Sequence, residues 1–155
     1  PFAPRSFSEF KLYNSVKENL ERLKIKKFLL IIVTNQPDIS NGLMFREELN
    51  LMNDYLLKNT SVDFIYVCPH SRDDNCECRK PKPGMIEEAV KTFNIDISLS
   101  WIIGDRFSDI QAGKQLGLRG IFINRNYKET NLKYINAPKV SDLTGAVNII
   151  TNIIH

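Results

Sequence analysis

An α/β domain on a mostly parallel sheet is the fold this sequence predicts, and three observations predict it. Uninterrupted apolar runs at residues 28–33, 64–67, 101–103 and 121–123 have strand length and lack the alternation of a strand with one wet face. Stretches with apolar residues at helical spacing separate them. The first three runs each pass directly into polar or cysteine-rich residues, and in open parallel sheets ligands collect beyond the carboxyl ends of the strands.

Taken in order, Ser15 with Glu18 reads as a capping box opening a short helix whose Val16, Leu20 and Leu23 share a face, closed by Lys24, Lys26 and Lys27. The run 28–33 is the first strand and delivers Thr34, Asn35 and Gln36. Leu49, Met52 and Leu56 mark a second helix, and 64–67 is a strand running into the only cysteines of the chain. A third helix begins near Gly84 and ends around Phe93. The strand 101–103 ends in Gly104-Asp105-Arg106, and a helix from Asp109 to Leu116 is stopped by Gly117. After the strand 121–123, Ser141 or Asp142 caps a last helix with Ala146, Ile149, Ile150 and Ile153 facing inward. No internal repeat is apparent.

With 155 residues, 43% of them hydrophobic, the chain fits one compact domain over residues 1–155. Its 21 basic and 18 acidic side chains give a charge of +3 with no block of like sign, which argues against a nucleic-acid partner. The longest apolar run is far too short to cross a bilayer and nothing resembles a signal peptide, so a soluble, cytoplasmic protein without a membrane partner is expected, monomeric or weakly oligomeric.

All three cysteines fall within Cys68-Pro-His70-Ser-Arg-Asp-Asp-Asn-Cys76-Glu-Cys78, and Arg79-Lys80-Pro81 follows at once. Cys68, His70, Cys76 and Cys78 form two pairs separated by polar residues that let the loop turn back. They are the soft and borderline ligands that zinc takes in a closed tetrahedral site. A disulfide would leave an odd thiol and ignore His70.

Thr34 and Asn35 as neutral donors, Lys80 as a point charge and Asp105 as a hard carboxylate suit a phosphate and Mg²⁺. Phosphoryl transfer asks mainly for positioning and for charge stabilisation on the equatorial oxygens. Magnesium needs only one or two carboxylates, with waters and substrate oxygens completing its octahedron. Each residue also has a plain structural reading: Thr34 as a strand end, Lys80 as a solvated side chain, Asp105 as a helix N-cap.

Together, Val33-Thr-Asn-Gln36, the cysteine and histidine pairs leading into Arg79-Lys-Pro-Lys-Pro-Gly-Met85, and Gly104-Asp-Arg-Phe-Ser-Asp109 closely resemble the haloacid-dehalogenase superfamily. Within it the chain is similar to the zinc-containing D-glycero-D-manno-heptose 1,7-bisphosphate phosphatases and the related histidinol-phosphate phosphatases. The resemblance implies a Rossmann-like three-layer domain and a small sugar phosphate as substrate, in bacterial surface-polysaccharide (lipopolysaccharide) synthesis. It implies that Thr34 and Asn35 grip the transferring phosphoryl group with Gln36 beside the substrate, that Lys80 stabilises its charge and that Arg79 recognises the rest of the sugar phosphate. Asp105 and the backbone carbonyl of Arg106 would hold Mg²⁺, Arg106 also lying against the substrate, and Asp109 would orient Lys80 or neighbouring loops. Zinc would be structural and steady Arg79 and Lys80.

Members of this superfamily begin with a strand ending in Asp-x-Asp, whose first carboxylate attacks phosphorus and whose second protonates the leaving oxygen. This chain opens at Pro1-Phe-Ala-Pro4, resembling a loop further into a family member, and no aspartate precedes Asp38. The expectation is therefore that a segment upstream is absent, that its loss leaves the strands ending at Thr34 and Gly104 each with an unpaired inner edge, and that the chain alone hydrolyses no phosphomonoester at a useful rate. The alternatives are histidinol-phosphate phosphatase, or an inactive binding module organised by zinc. A nucleic-acid-binding zinc module is disfavoured by Asp73, Asp74 and Glu77 in the loop.

Overall fold

A computed structural model describes residues 3–153; Pro1 and Phe2 of the opening segment lie outside the described residues. The chain divides into two compact units, the first ending at Cys76 and the second beginning at Glu77. Both are α/β, with all strand pairs parallel.

The first unit runs through a 3-10 turn at Phe7–Glu9, helix α1 (Val16–Ile25), strand β1 (Ile31–Asn35), the short helix α2 (Pro37–Ser40), helix α3 (Arg46–Asn59) and strand β2 (Phe64–Cys68). Strands β1 and β2 pair from Ile31 opposite Phe64 to Asn35 opposite Cys68. Because the pair is parallel, the Thr34 motif and the cysteine loop leave the sheet at the same end. Met44, Leu49 and Met52 form the buried core, with Phe10, Ile39 and Val67 packed on it. Asp63 ties the end of α1 to the start of β1, accepting from Lys24 Nζ at 2.8 Å and from the Leu30 amide at 2.7 Å.

Two expectations change here. Strand β1 begins at Ile31 and is half-buried along its length, whereas the apolar run 28–33 predicts a strand covered on both faces. Its single strand partner among the described residues is β2. Ser15 precedes α1 as predicted but makes no capping bond, since its φ of 64° and ψ of 5° are left-handed and an N-cap needs extended backbone for its hydroxyl to reach the first-turn amides. Helix α2 and the 3-10 turn carry no apolar periodicity and were not predicted.

The second unit contains helix α4 (Gly84–Phe93), strand β3 (Trp101–Gly104), helix α5 (Phe107–Gln115), strand β4 (Arg119–Ile123), strand β5 (Lys139–Val140) and helix α6 (Leu143–Ile153), with 3-10 turns at Ile97–Leu99 and Thr130–Tyr134. The sheet order is β3-β4-β5. Ile110, Ala112, Ile121, Phe122, Ala146, Val147 and Ile150 make the core. Gly117, at φ +86°, ends α5 in a Schellman arrangement, with the Leu118 amide on the Gly113 carbonyl and the Gly117 amide on the Lys114 carbonyl. Asp142 caps α6 by accepting from the Gly145 amide at 2.9 Å. Ile153 is exposed rather than inward, because it falls in the last turn beyond the stripe set by Ala146, Val147 and Ile150.

Strands β1 and β3, which the family resemblance would place on either side of a further strand, each pair with one strand among the described residues. None of the described helices is long and apolar enough to cross a membrane.

Candidate active site

In the first unit, the end of β1 presents Thr34, whose hydroxyl accepts from Gln36 Nε2 at 3.1 Å. A hydroxyl that already accepts keeps its own proton for donation, so Gln36 leaves Thr34 able to donate to an anion. The Gln36 amide bonds the Cys68 carbonyl at 2.7 Å, fixing the turn after β1 to the end of β2. Helix α2 is fastened to the cysteine loop: the Ser40 amide bonds the Pro69 carbonyl at 3.2 Å, and the Ser40 hydroxyl donates to Asp74 at 2.7 Å. Asp74 also accepts from the Ser71 amide at 2.6 Å. The Ser40 hydroxyl, followed by the Ser71 donors, holds the Asp74 carboxyl below the ordinary carboxylate range. The Ser40–Asp74 tie was not anticipated, since serine and aspartate there read as ordinary loop residues. Asp38, on α2, pairs with Arg5 at 2.7 Å.

The cysteine loop brings its four predicted ligands together. Cys68 Sγ lies 3.6 Å from His70 Nδ1 and 3.6 Å from Cys76 Sγ. The ligand atoms of Cys68, His70, Cys76 and Cys78 all lie within 4.8 Å of one another. Zn–S bonds of about 2.3 Å at tetrahedral angles separate two sulfurs by about 3.8 Å, so three sulfurs and one imidazole at these spacings fit a closed zinc site. The thiols are free of disulfides.

In the second unit, Lys80 is largely buried and its Nζ donates to Asp109 Oδ1 at 2.5 Å. The other Asp109 oxygen accepts from the Arg106 amide at 3.0 Å, while the Asp109 amide bonds the Arg106 carbonyl at 3.1 Å. One carboxylate therefore orients the lysine and closes the first turn of α5, whose N-cap is Arg106 and not Asp105. Gly104 makes this possible, because a Cβ there would overlap the Asp109 side chain. Arg79 is half-buried, immediately before Lys80.

Asp105, at the end of β3, is half-buried and has one hydrogen-bond partner among the described residues, the Tyr127 hydroxyl at 3.3 Å. No described cation pairs with it. Burial and then the neighbouring Asp109 carboxylate raise its pKa, against smaller opposing effects of Arg106, Tyr127 and Arg125. The Arg106 guanidinium stacks 3.7 Å from the Tyr127 ring centre and pairs with Glu129 at 2.8 Å. Tyr127 and Glu129 were missed by sequence reasoning. Arg125, Tyr127 and Glu129 are half-buried and alternate with exposed Asn124, Asn126 and Lys128, a burial pattern that no apolar period in the sequence announces.

A profile of HAD-hydrolase-like proteins matches residues 77–144. The chain is 36% identical over 130 residues to the D-glycero-α-D-manno-heptose-1,7-bisphosphate 7-phosphatase of Photorhabdus laumondii, covering 76% of this chain and 71% of that protein. It is 38% identical over 117 residues to the D-glycero-β-D-manno-heptose-1,7-bisphosphate 7-phosphatase of Pasteurella multocida, covering 68% of this chain and 64% of that one. In three dimensions it is similar to the D,D-heptose 1,7-bisphosphate phosphatase of B. bronchiseptica, solved with magnesium and phosphate, at a TM-score of 0.86 and 25% identity over 96% of this chain and 88% of the other. The fold and these relatives define a class, the hydrolases of haloacid-dehalogenase type. The chain belongs to this family, in the group that includes the heptose-bisphosphate phosphatases. It spans about two thirds of the length of the relatives it matches.

Proposed function

We propose that this chain supplies the phosphate-handling groups of a magnesium-dependent phosphatase that removes the 7-phosphate of D-glycero-D-manno-heptose 1,7-bisphosphate. The observation that carries the reading is Asp105, a half-buried carboxylate at a strand end that forms no ion pair with a cation among the described residues. Next to it, Asp109 is already spent on Lys80 and on the Arg106 amide. A carboxylate so placed is a ready ligand for a hard cation, and the names of the related enzymes and the magnesium and phosphate of the related structure give the cation and the anion.

In this reading, Thr34 donates its hydroxyl proton to a phosphoryl oxygen, with Asn35 beside it and Gln36 orienting the hydroxyl. Lys80 offsets charge on the same phosphoryl group, held by Asp109. Arg79 contacts the remainder of the sugar phosphate, where its planar fork suits a bidentate contact. Asp105 and the Arg106 carbonyl hold magnesium, which when bound neutralises phosphate charge. The Arg106 guanidinium, half-exposed against Tyr127 and Glu129, borders the substrate. An aspartate from an Asp-x-Asp strand outside this chain would attack phosphorus as the sugar oxygen leaves, protonated by the second aspartate of that strand, and water would then hydrolyse the aspartyl phosphate to release inorganic phosphate. Cys68, His70, Cys76 and Cys78 would hold a structural zinc, bracing the loop that leads into Arg79 and Lys80.

The test joins an upstream strand bearing Asp-x-Asp to this chain and measures phosphate release from both anomers of the heptose bisphosphate and from histidinol phosphate. The expected result is magnesium-dependent turnover of a heptose bisphosphate, lost in Lys80→Ala, and none by the chain alone. Preference for histidinol phosphate would reassign the substrate. Absence of turnover with the strand present, together with capture of a stable partner, would favour a binding module.

A further inference from the structure

We infer that Tyr127 is a positioning residue for Asp105, holding its carboxylate in the orientation that takes a divalent cation; this rests on the reading of Asp105 as the magnesium ligand. The segment after β4 turns Arg125, Tyr127 and Glu129 to the protein side, and the last two build a relay that ends on Asp105. Glu129 is the anchor: one oxygen accepts from Arg106 Nη1 at 2.8 Å and the other from the Phe107 amide at 3.1 Å, so it grips the first turn of α5 at two points. Arg106, held in plane by that pairing, covers the Tyr127 ring at 3.7 Å. A guanidinium stacked on an aromatic face and paired at its edge restricts the ring below it. The ring in turn sets its hydroxyl 3.3 Å from Asp105 Oδ2.

The consequence lies in which oxygen is left. An ionised carboxylate has about four acceptor sites, and here the hydroxyl uses one of them on Oδ2. No described side chain bonds Oδ1, which is left for a metal. Without the hydroxyl, no hydrogen bond from a described residue fixes the rotation of this half-buried carboxylate beside another carboxylate. Partners of this kind, standing behind a metal ligand, set its direction and affinity even though they do not touch the metal.

The experiment follows backbone amide shifts of Gly104, Arg106 and Phe107 by NMR as MgCl2 is added to the chain, to Tyr127→Phe and to Asp105→Asn. Phenylalanine keeps the ring under Arg106 and removes only the donor, and the metal-free spectrum reports whether the fold persists. The expected result is saturable shifts in the native chain, a Kd raised about tenfold in Tyr127→Phe, and loss of the response in Asp105→Asn. An unchanged Kd in Tyr127→Phe, with the response still lost in Asp105→Asn, overturns the role of Tyr127 alone. No response in the native chain, or an undiminished one in Asp105→Asn, overturns the magnesium reading on which that role depends.

Discussion

Ser15 and Lys27 both hold φ at 64°, where a Cβ crowds the backbone and glycine is at ease. Lys27 occupies the position after α1 that Gly117 occupies after α5: its amide bonds the Lys24 carbonyl at 2.8 Å and the Phe28 amide the Leu23 carbonyl at 3.2 Å. Replacing either Ser15 or Lys27 by glycine is predicted to stabilise the protein by about 1 kcal/mol, read as a higher urea midpoint at unchanged slope. Asp105 carries the opposite kind of residue-level signature. Its folded pKa is raised above 3.8, so the folded state holds the proton over a range where the unfolded state has released it. Stability from this group is present at low pH and is lost as pH rises through the folded value. Asp105→Asn is therefore predicted to melt higher than the native chain at neutral pH without divalent cation, with the difference vanishing as pH falls to the ordinary carboxylate value. A native chain that melts higher than Asp105→Asn at neutral pH would contradict this. Such a sacrifice of stability is what a site kept for a cation costs the fold.

Among the elements, the cysteine loop organises more than its own turn, since Ser40 and Asp74 fasten it to α2 and the Gln36 amide bonds the Cys68 carbonyl beneath it. Metal analysis is predicted to find one zinc per chain, and prolonged chelation or Cys68→Ser to lower the melting temperature. A chain that melts identically after its metal has been stripped would remove zinc from the account. The loop was legible because ligand type and spacing are written locally; so were α4 and β3, whose apolar patterns are complete within the element. The Ser15 capping box misled because Ser-x-x-Glu spacing says nothing of φ, and the first helical amides are reached only from extended backbone. Residues 124–129 were illegible for a different reason: they act by hydrogen bonds and stacking against Asp105 and Arg106, and polar tertiary contacts leave no hydrophobic period in the sequence.

At the scale of the whole molecule, two α/β units each carry half of the proposed chemistry: Thr34, Asn35 and Gln36 in the first, and Lys80, Asp105 and Asp109 in the second. Among the described residues β1 pairs with β2 alone and β3 with β4 alone. The class of fold was legible because continuous apolar runs alternate with amphipathic helices; the division into units was not, since it depends on contacts between distant residues. In the proposed reading these groups serve one phosphoryl group and one magnesium ion. A crystal structure of the chain carrying an upstream Asp-x-Asp strand, grown with magnesium and inorganic phosphate, tests it most directly. The expected density shows one phosphate touched by Thr34 Oγ1 and Lys80 Nζ, with magnesium on Asp105 and a phosphate oxygen. Phosphate bound at Thr34 with Lys80 and Asp105 elsewhere, or magnesium on other carboxylates, would contradict it.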